Sequence, residues 1–509
     1  MKKRMLSILK TVLFFTPFIL AVIGFSKALG DTLFNAMYRA MRLYLIELDV
    51  ESYNEMIPLI EIARWTAPMM SVAAIINMLN SIFGTLRNWV RIRKGNAIAI
   101  HGDSDYVQHM ADQLGPRAVI GKNAMAMRAE KHILLFREDQ AMLTYLSANR
   151  NKLFHGDSHV YLCTEHIVRG NYQNHRLVLC NFPEICARMY WAEYPIQLRR
   201  HERNIVIIGF GNYGQQMLSQ ALMTNVYTSD VQITYHVFGD SAEYLGQHPQ
   251  IQQIATINEQ KDGNDAIFFH DEPWYACQQV LTEADRVILV EDEEEKNILT
   301  LNAIGKYFVT KDLYIKVTNS AVLEDLWGGA KPFGTADSLC TEKTIIDAET
   351  MTDAIRIHAK YYRENQCKHR ESCNSKICWR CNDVLNDWGK QSLFTIYSNV
   401  AQADHMPIKL QILLGDDYRS DPQAGEKAKA AYLALSQEER LKLMEVEHVR
   451  WARYHYMHNW QYAPVRDNEQ KKHPLLVPFA QLDSNHPLKD QSAWFNAFEL
   501  YRGGTEKAG

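Results

Sequence analysis

The stretch from Arg203 to Gly214, RNIVIIGFGNYG, has the glycine spacing of a loop that binds a dinucleotide. An apolar, β-branched run precedes the loop and an apolar pattern with helical spacing follows it, so the order is strand, glycine turn and helix. The three glycines are Gly209, Gly211 and Gly214. They would allow, in turn, a tight turn, close approach of backbone to a pyrophosphate, and close packing of the helix on the strand.

Asp240 ends the next predicted strand, Val231 to Phe238, where an acid can accept hydrogen bonds from ribose hydroxyls. Together with the glycine loop it predicts binding of NAD(H) or another adenine nucleotide. The alternative is that the glycines serve only the packing of helix on sheet.

A second set of residues near the C-terminal end combines aromatic, basic and imidazole groups. The candidate ligand contacts are Trp451, Trp460, Tyr462, Arg466 and His473. The aromatic faces suit either a nucleobase or core packing, with core packing favoured for the tryptophans, whereas Arg466 and His473 lie in turn-like sequence and are better placed to contact a ligand. Arg450 and Lys472 are further candidates for phosphate contacts.

Four cysteines lie close together in the segment 367–381. They are Cys367, Cys373, Cys378 and Cys381. The set ends in Cys-x-x-Cys and supplies enough thiols for tetrahedral zinc, but its spacing is not that of a standard pair of zinc knuckles. Reduced thiols without a metal are the alternative, and the odd total of nine cysteines indicates reduced thiols rather than a disulfide framework.

The elements that would hold these groups are predicted as tandem α/β units with parallel sheets. A degenerate Rossmann-like unit spans 95–200, in which Gly102-Asp103-Ser104 keeps the turn after a strand but not the phosphate cradle. A complete unit spans 201–325, a helical region with the cysteines spans 340–415, and a mainly helical domain spans 424–503. An acidic run at 291–295 is interpreted as the solvated start of a helix.

Two uncharged stretches near the N-terminus predict a transmembrane region at 1–94, with spans at about 8–28 and 66–86. A cleaved secretion signal is the alternative for the first span and a buried core helix for the second. Basic residues flank both spans on their outer sides, which predicts that both termini and the soluble domains are cytoplasmic. Between them, Thr32 to Asp49 predicts an amphipathic helix, and Asn77 with Asn80 predicts helix association or a pore lining.

Two membrane spans followed by tandem Rossmann-like units, the second with Gly209-x-Gly211-x-x-Gly214 intact, resemble the regulator-of-potassium-conductance (RCK, TrkA-N) class of channels and transport subunits over roughly 1–320. The resemblance implies a nucleotide at the glycine loop and at Asp240, and pairing of the α/β units into a dimer or tetramer. No glycine-rich carbonyl filter follows the first span, so potassium selectivity of the usual kind has no visible basis.

The segment from about Ala424 to Leu500 resembles the ryanodine receptor (RyR) repeat. The resemblance rests on Glu447-His448-x-Arg450-Trp451 and on Asn459-Trp460-Gln461-Tyr462 followed by Lys472-His473-Pro474. The chain departs from the usual repeat at Asn459 and at Ala463-Pro464, where glycines are expected.

These features predict a membrane-anchored, channel-like protein of the inner (cell) membrane that senses a small nucleotide and regulates ion flux, as a stress or antiphage effector. The near balance of charge, with a formal net of -4, argues against binding of bulk nucleic acid. The sequence contains no recognisable catalytic constellation. A membrane-bound NAD(P)-dependent enzyme and a scaffold with empty Rossmann units remain the alternatives.

Overall fold

The computed structural model describes residues 2–48, 57–121, 124–167, 176–261, 263–305, 312–321, 329–368, 371, 378–483 and 487–501. The chain divides into two compact units. One contains residues 1–96 with 123–126, and the other contains residues 97–122 and 127–509.

The N-terminal unit is helical, with α1 at Lys2–Leu29, α2 at Leu33–Leu43 and α3 at Pro58–Arg93. Two windows, Val12–Leu29 and Pro58–Ile76, are long and apolar enough to cross a membrane by length and composition. The second window begins at Pro58, earlier than the predicted start at about residue 66, although α3 includes all of the predicted span 66–86. Only 22% and 17% of the two windows is buried, whereas the core helix of a soluble domain is mostly buried. The side chains of Asn77 and Asn80 lie outside the described residues.

Small residues allow the helices of this unit to approach closely. Ala21 on α1 and Ala63 and Ala67 on α3 are fully buried, and a Cβ added at Gly24 would lie 2.6 Å from Cγ1 of Ile60. Close packing over alanine and glycine is typical of helices in lipid, where apolar side chains gain nothing by leaving the hydrocarbon.

The first α/β unit has a five-stranded, all-parallel sheet of order β2-β1-β3-β4-β5. Its strands are β1 Ile98–Gly102, β2 Ala118–Ile120, β3 Lys131–Leu135, β4 His159–Thr164 and β5 Leu177–Asn181, and its helices are α4 Tyr106–Leu114, α5 Asp139–Leu153 and α6 Phe182–Glu193. The strand order is that of flavodoxin-like sheets, in which the connections change direction between β1 and β3.

The second α/β unit has a seven-stranded, all-parallel sheet of order β12-β11-β10-β6-β7-β9-β8. Its strands are β6 Asn204–Ile208, β7 Thr234–Phe238, β8 Ala255–Ile257, β9 Asp265–His270, β10 Arg286–Leu289, β11 Asp312–Lys316 and β12 Ala330–Phe333. Without the short edge strand β8 this is the Rossmann order, and its direction changes between β6 and β10. Its helices are α7 Asn212–Thr224, α8 Ala242–Gln247, α9 Gln278–Glu283 and α10 Glu294–Ile304.

The two α/β units share one hydrophobic core, in which α6 packs on α7. Trp191 of α6 is buried, and its indole N–H donates to the carbonyl of Met217 on α7 at 3.0 Å. The tandem units are therefore fixed to each other through the helix that follows the glycine loop.

The C-terminal part is helical, as predicted. Its helices are α11 Ala336–Leu339, α12 Glu342–Ile345, α13 Thr352–Asn365, α14 Asn382–Lys390, α15 Leu393–Asp404, α16 Met406–Leu414, α17 Ala424–Ala434, α18 Gln437–Met457 and α19 Pro487–Leu500. Two short strands, β13 Gln461–Tyr462 and β14 Lys472–His473, form a separate ribbon after α18. A capping box at Ser436 and Glu439 fixes the start of α18.

Candidate functional site

The glycine loop connects β6 to α7 as the sequence predicts, and side chains are excluded at two of its positions. Gly209 has φ +101°, and an added Cβ would lie 2.5 Å from the backbone nitrogen of Glu291. An added Cβ at Gly214 would lie 2.0 Å from the carbonyl oxygen of Gly209. Both glycines are therefore required by close backbone packing, whether or not a ligand binds.

The N-terminus of α7 already holds an anion, the carboxylate of Asp292. This carboxylate accepts the backbone N–H groups of Asn212 and Tyr213, each at 3.0 Å, and the Asn212 side-chain amide at 3.2 Å. Asp292 follows β10, the neighbour of β6 at the point where the connections change direction. A pyrophosphate bound to such a loop would use the same N–H donors. An added Cβ at Gly211 would lie 2.3 Å from this carboxylate.

Asp240 lies just after the end of β7, as predicted, and β7 pairs with β6, the strand that leads into the glycine loop. It is exposed, and its carboxylate accepts the backbone N–H of Ala242 at 3.0 Å, which leaves acceptor capacity on the surface. Phe210 of the loop is buried, with its ring 5.0 Å from that of Tyr244. The interior side of the loop is thus filled by aromatic packing.

An open cavity of about 310 Å³ lies at the corresponding position of the first α/β unit. The loops after β1 and β3 form its walls, with contributions from Ser104, Tyr106, Arg137, Asp139, Glu165 and Phe182. This is where ligands usually bind in a parallel sheet of this order. The unit whose glycine pattern looks degraded therefore has the open crevice, and the unit with the intact pattern has its donors occupied by Asp292.

Tyr213 connects the N-terminus of α7 to the cavity of the first α/β unit. Its backbone N–H donates to the Asp292 carboxylate. Its hydroxyl donates to the carboxylate of Glu165, which lines the cavity, over a distance of 3.1 Å. Burial, reinforced by the Glu165 carboxylate, raises the pKa of Tyr213 well above its ordinary value, so the hydroxyl stays protonated and remains a donor. The Lys316 ammonium lies 3.8 Å from the centre of the Tyr213 ring and donates to the Asp292 carbonyl.

The C-terminal aromatic residues do not all meet. Trp451, Trp460 and His473 form one cluster with His448 and His455, with ring centroids of Trp451 lying 4.0 Å from His455 and 4.9 Å from His473. Trp460 and His473 are buried, and Trp460 stacks on Phe394. Tyr462 is 56% exposed, and Arg466 is exposed and donates to Asn468. Tyr462 and Arg466 are thus the exposed members of the five predicted contacts, whereas Trp451 is half-buried and Trp460 and His473 are buried.

His448 and His455 were not predicted as ligand contacts, although their spacing in the sequence is informative. Together with Trp451 they recur at three and four residues, which places all three on one face of α18. The His455 ring hydrogen-bonds to the Trp451 carbonyl at 2.8 Å, and burial lowers the pKa of His455 to about 3, so this ring is neutral. The part of the cluster around His455 is therefore tightly packed and carries no charge on that ring.

Arg450 lies inside the domain rather than at a phosphate-binding surface. Its guanidinium pairs with the Glu447 carboxylate at 2.6 Å, and the same carboxylate accepts from Lys409 at 2.7 Å. Attraction by these two cations outweighs the opposing effect of burial and lowers the pKa of Glu447 to about 2. Arg450 thus has a structural partner, and Arg466 is the more accessible cation.

The predicted cysteine site is only partly described. Cys378 is buried, Cys367 is half-buried and Cys381 is exposed, while Cys373 lies outside the described residues. Within the described part of the chain these three thiols do not come together as a group of metal ligands. No disulfide joins any of the cysteines that the structure describes.

Helix α18, the ribbon β13–β14 and helix α19 follow one another in the C-terminal part of the chain. Residues 433–496 match the RyR domain. The match includes all five residues of the Trp451 cluster but not Phe394, which stacks on Trp460, and its bounds lie within the predicted 424–503. No curated protein and no solved structure matches the chain.

The RyR domain is attached to the second α/β unit through α18. Arg453 pairs with the buried carboxylate of Asp265 on β9 at 2.8 Å. The His248 ring hydrogen-bonds to the Met457 carbonyl at 3.1 Å, and the Asn459 amide donates to the Gln247 carbonyl at 2.8 Å. These contacts place the RyR domain against the helices and strands that follow the glycine loop.

Proposed function

We propose that this protein is a membrane-anchored sensor of channel-like plan, in which a small nucleotide acts on the cytosolic domains and regulates ion flux across the cell membrane. Two apolar, mostly exposed helices support the membrane anchor, and the tandem parallel sheets with an attached RyR domain support a ligand-responsive cytosolic part. In this proposal the protein is a homodimer or homotetramer, and it resembles the regulator-of-potassium-conductance class.

The observation that carries the proposal is the double role of Tyr213. Its N–H lies in the phosphate-type cradle and its hydroxyl reaches the cavity of the other α/β unit. A nucleotide that binds the N–H groups of Asn212 and Tyr213 must displace the Asp292 carboxylate. Lys316 donates to the Asp292 carbonyl and lies over the Tyr213 ring, so both residues are close to the displaced group. The loop therefore has two alternative anions, and a ligand that favours one arrangement shifts the population of the whole element.

The first experiment compares nucleotide binding by the full-length protein in detergent and by its Asp292→Asn variant. Thermal shifts are measured with NAD, NADH, ATP, ADP-ribose and AMP. Removing the competing charge from the N-terminus of α7 should strengthen nucleotide binding by about tenfold, because a charge at a helix terminus contributes about 1 kcal/mol or more when partly buried. Asp230→Asn, an exposed acid before β7, is the matched control and should leave binding unchanged.

The outcomes separate the alternatives. If no nucleotide stabilises either protein, the second α/β unit is a closed packing unit and the scaffold function replaces the sensor. Turnover of NADH by the purified protein would favour the enzyme. Ion flux into proteoliposomes that depends on the nucleotide, with the dependence moved to lower concentration by Asp292→Asn, is the result expected of the sensor.

The proposed orientation is tested with the exposed thiol of Cys381. A membrane-impermeant maleimide should label it in inside-out vesicles but not in right-side-out vesicles, because the soluble domains face the cytoplasm. Cys381→Ser identifies the labelled site. Labelling of Cys381 in right-side-out vesicles would reverse the proposed topology.

A further inference from the structure

We infer that His270, Glu272 and Cys277 form a binding site for Zn²⁺ or a similar divalent transition-metal ion in the second α/β unit. One ligand atom from each of the three residues lies within 4.8 Å of the others. The inference goes beyond the proposed function and does not depend on nucleotide binding.

The fold brings the three residues together over a short stretch of chain. His270 is the last residue of β9, and Cys277 is the N-cap of α9. A single 3₁₀ turn, Trp274–Ala276, reverses the chain between them, and Glu272 lies in the connection before that turn. The Cys277 sulfur is thereby brought back close to the imidazole of His270, the residue at which the strand ends.

The His270 ring is held in one orientation by two neighbours on the sheet. It stacks on Phe238 with a centroid distance of 4.5 Å and an interplanar angle of 14°. Its Nε2 lies 3.0 Å from Nδ1 of His236 on the adjacent strand β7, so Nδ1 of His270 is the nitrogen available to a metal. Histidine ligands in metal sites usually have such a hydrogen-bonded partner on the second nitrogen, which fixes the tautomer and the ring.

The donor set determines which ion the site suits. One imidazole, one carboxylate and one thiolate are ligands that Zn²⁺ accepts in tetrahedral sites, whereas Mg²⁺ and Ca²⁺ prefer oxygen ligands alone. His270 and Cys277 are half-buried and Glu272 is exposed, so a fourth position would face solvent. Three protein ligands with an open position leave room for water or for a donor from another molecule.

This site is separate from the four cysteines at 367–381, which are also able to bind Co²⁺ or Zn²⁺ through thiols. A metal-binding experiment must therefore distinguish the two. Cys277 and Cys381 provide matched cysteine-to-serine substitutions, one in the inferred site and one in the other stretch.

The experiment uses the full-length protein in detergent after removal of metal with a chelator. Co²⁺ is added as a spectroscopic probe, and Zn²⁺ is then added in the presence of a competing chelator to measure affinity and stoichiometry. We expect a cobalt–thiolate charge-transfer band in the wild type and in Cys381→Ser, and its loss in Cys277→Ser. His270→Ala should weaken Zn²⁺ binding by at least about a hundredfold, and His236→Phe by about tenfold to a hundredfold.

Metal-free thermal melting provides the folding control, because a variant that melts like the wild type has lost only the metal. The inference is overturned if the wild type takes up no Co²⁺. It is also overturned if the thiolate band survives in Cys277→Ser or disappears in Cys381→Ser, since the ion would then lie at the later cysteines.

Discussion

At the scale of single residues, Glu447 joins two buried cations that belong to different helices. Lys409 of α16 and Arg450 of α18 both donate to its carboxylate, and all three side chains are at most 5% exposed. Removing one member of a buried ion pair leaves an uncompensated charge, which costs about 3–5 kcal/mol. Glu447→Gln should therefore destabilise the folded protein by about this amount, measured by chemical unfolding in detergent.

Glu445 is the control for this substitution, because it lies on the same helix and is exposed. Glu445→Gln should change the free energy of unfolding by less than about 0.5 kcal/mol. Similar losses from both substitutions would mean that the buried pair is no more important than a surface charge.

The sequence could not reveal that Arg450 is a structural residue. Its neighbour Glu447 is visible at helical spacing, but Lys409 lies 38 residues earlier, and its pairing depends on how α16 packs on α18. The same limit applies to Asp292. The acidic run at 291–295 does lead into the first turn of helix α10 as expected, yet Asp292 itself accepts hydrogen bonds from Asn212 and Tyr213, about 80 residues away.

At the scale of elements, substitution of a glycine in the loop tests whether the glycines are needed for packing even without a ligand. An added Cβ at Gly214 would lie 2.0 Å from the Gly209 carbonyl oxygen, which is far inside van der Waals contact. Gly214→Ala should cost about 1–3 kcal/mol of stability by overpacking even in the absence of any nucleotide. Thermal unfolding of the ligand-free protein measures this.

Gly246 in α8 is the matched control, since no atom lies within 4 Å of its added Cβ. Gly246→Ala should be neutral or stabilising by up to about 1 kcal/mol, because alanine has the higher helix propensity. Full stability of Gly214→Ala would contradict the close packing of α7 on β6.

Local pattern predicted some elements well and others not at all. β6, the glycine turn and α7 were predicted because a buried apolar strand, three glycines and a helical period lie next to each other in the sequence. The three-residue strands β2 and β8 were not predicted because a strand of that length carries no alternation to recognise, and the longer strands β9 and β12 were not predicted either. The strand orders depend on long-range pairing, so the flavodoxin-like order of the first sheet, and with it the open cavity, had no local signal.

At the scale of the whole molecule, buried neutral histidines in separate domains should make the fold sensitive to acid. Burial lowers the pKa of His101 to about 4, of His132 to about 3 and of His455 to about 3. The first two face each other across β1 and β3 at 3.1 Å, with Tyr145 also bonded to His101, and the third lies in the RyR domain. Charging any of them in place would bury an imidazolium without a counter-ion.

The direction of the pH effect follows from where protons bind. Below a pH of about 6.5 the unfolded chain takes up protons at these histidines, whereas the folded chain does not until the pH approaches 4 or 3. Stability is therefore complete above pH 6.5 and falls with decreasing pH, by up to about 1.4 kcal/mol per pH unit for each histidine. The midpoint of thermal unfolding should drop clearly between pH 7 and pH 5, and His455→Gln should show a smaller drop because one of the proton-binding differences is gone. His159, which is exposed at the start of β4, provides the control, since His159→Gln should keep the wild-type dependence. A midpoint that stays constant over this range would mean that the three imidazoles reach water in the folded protein and are not held neutral by burial.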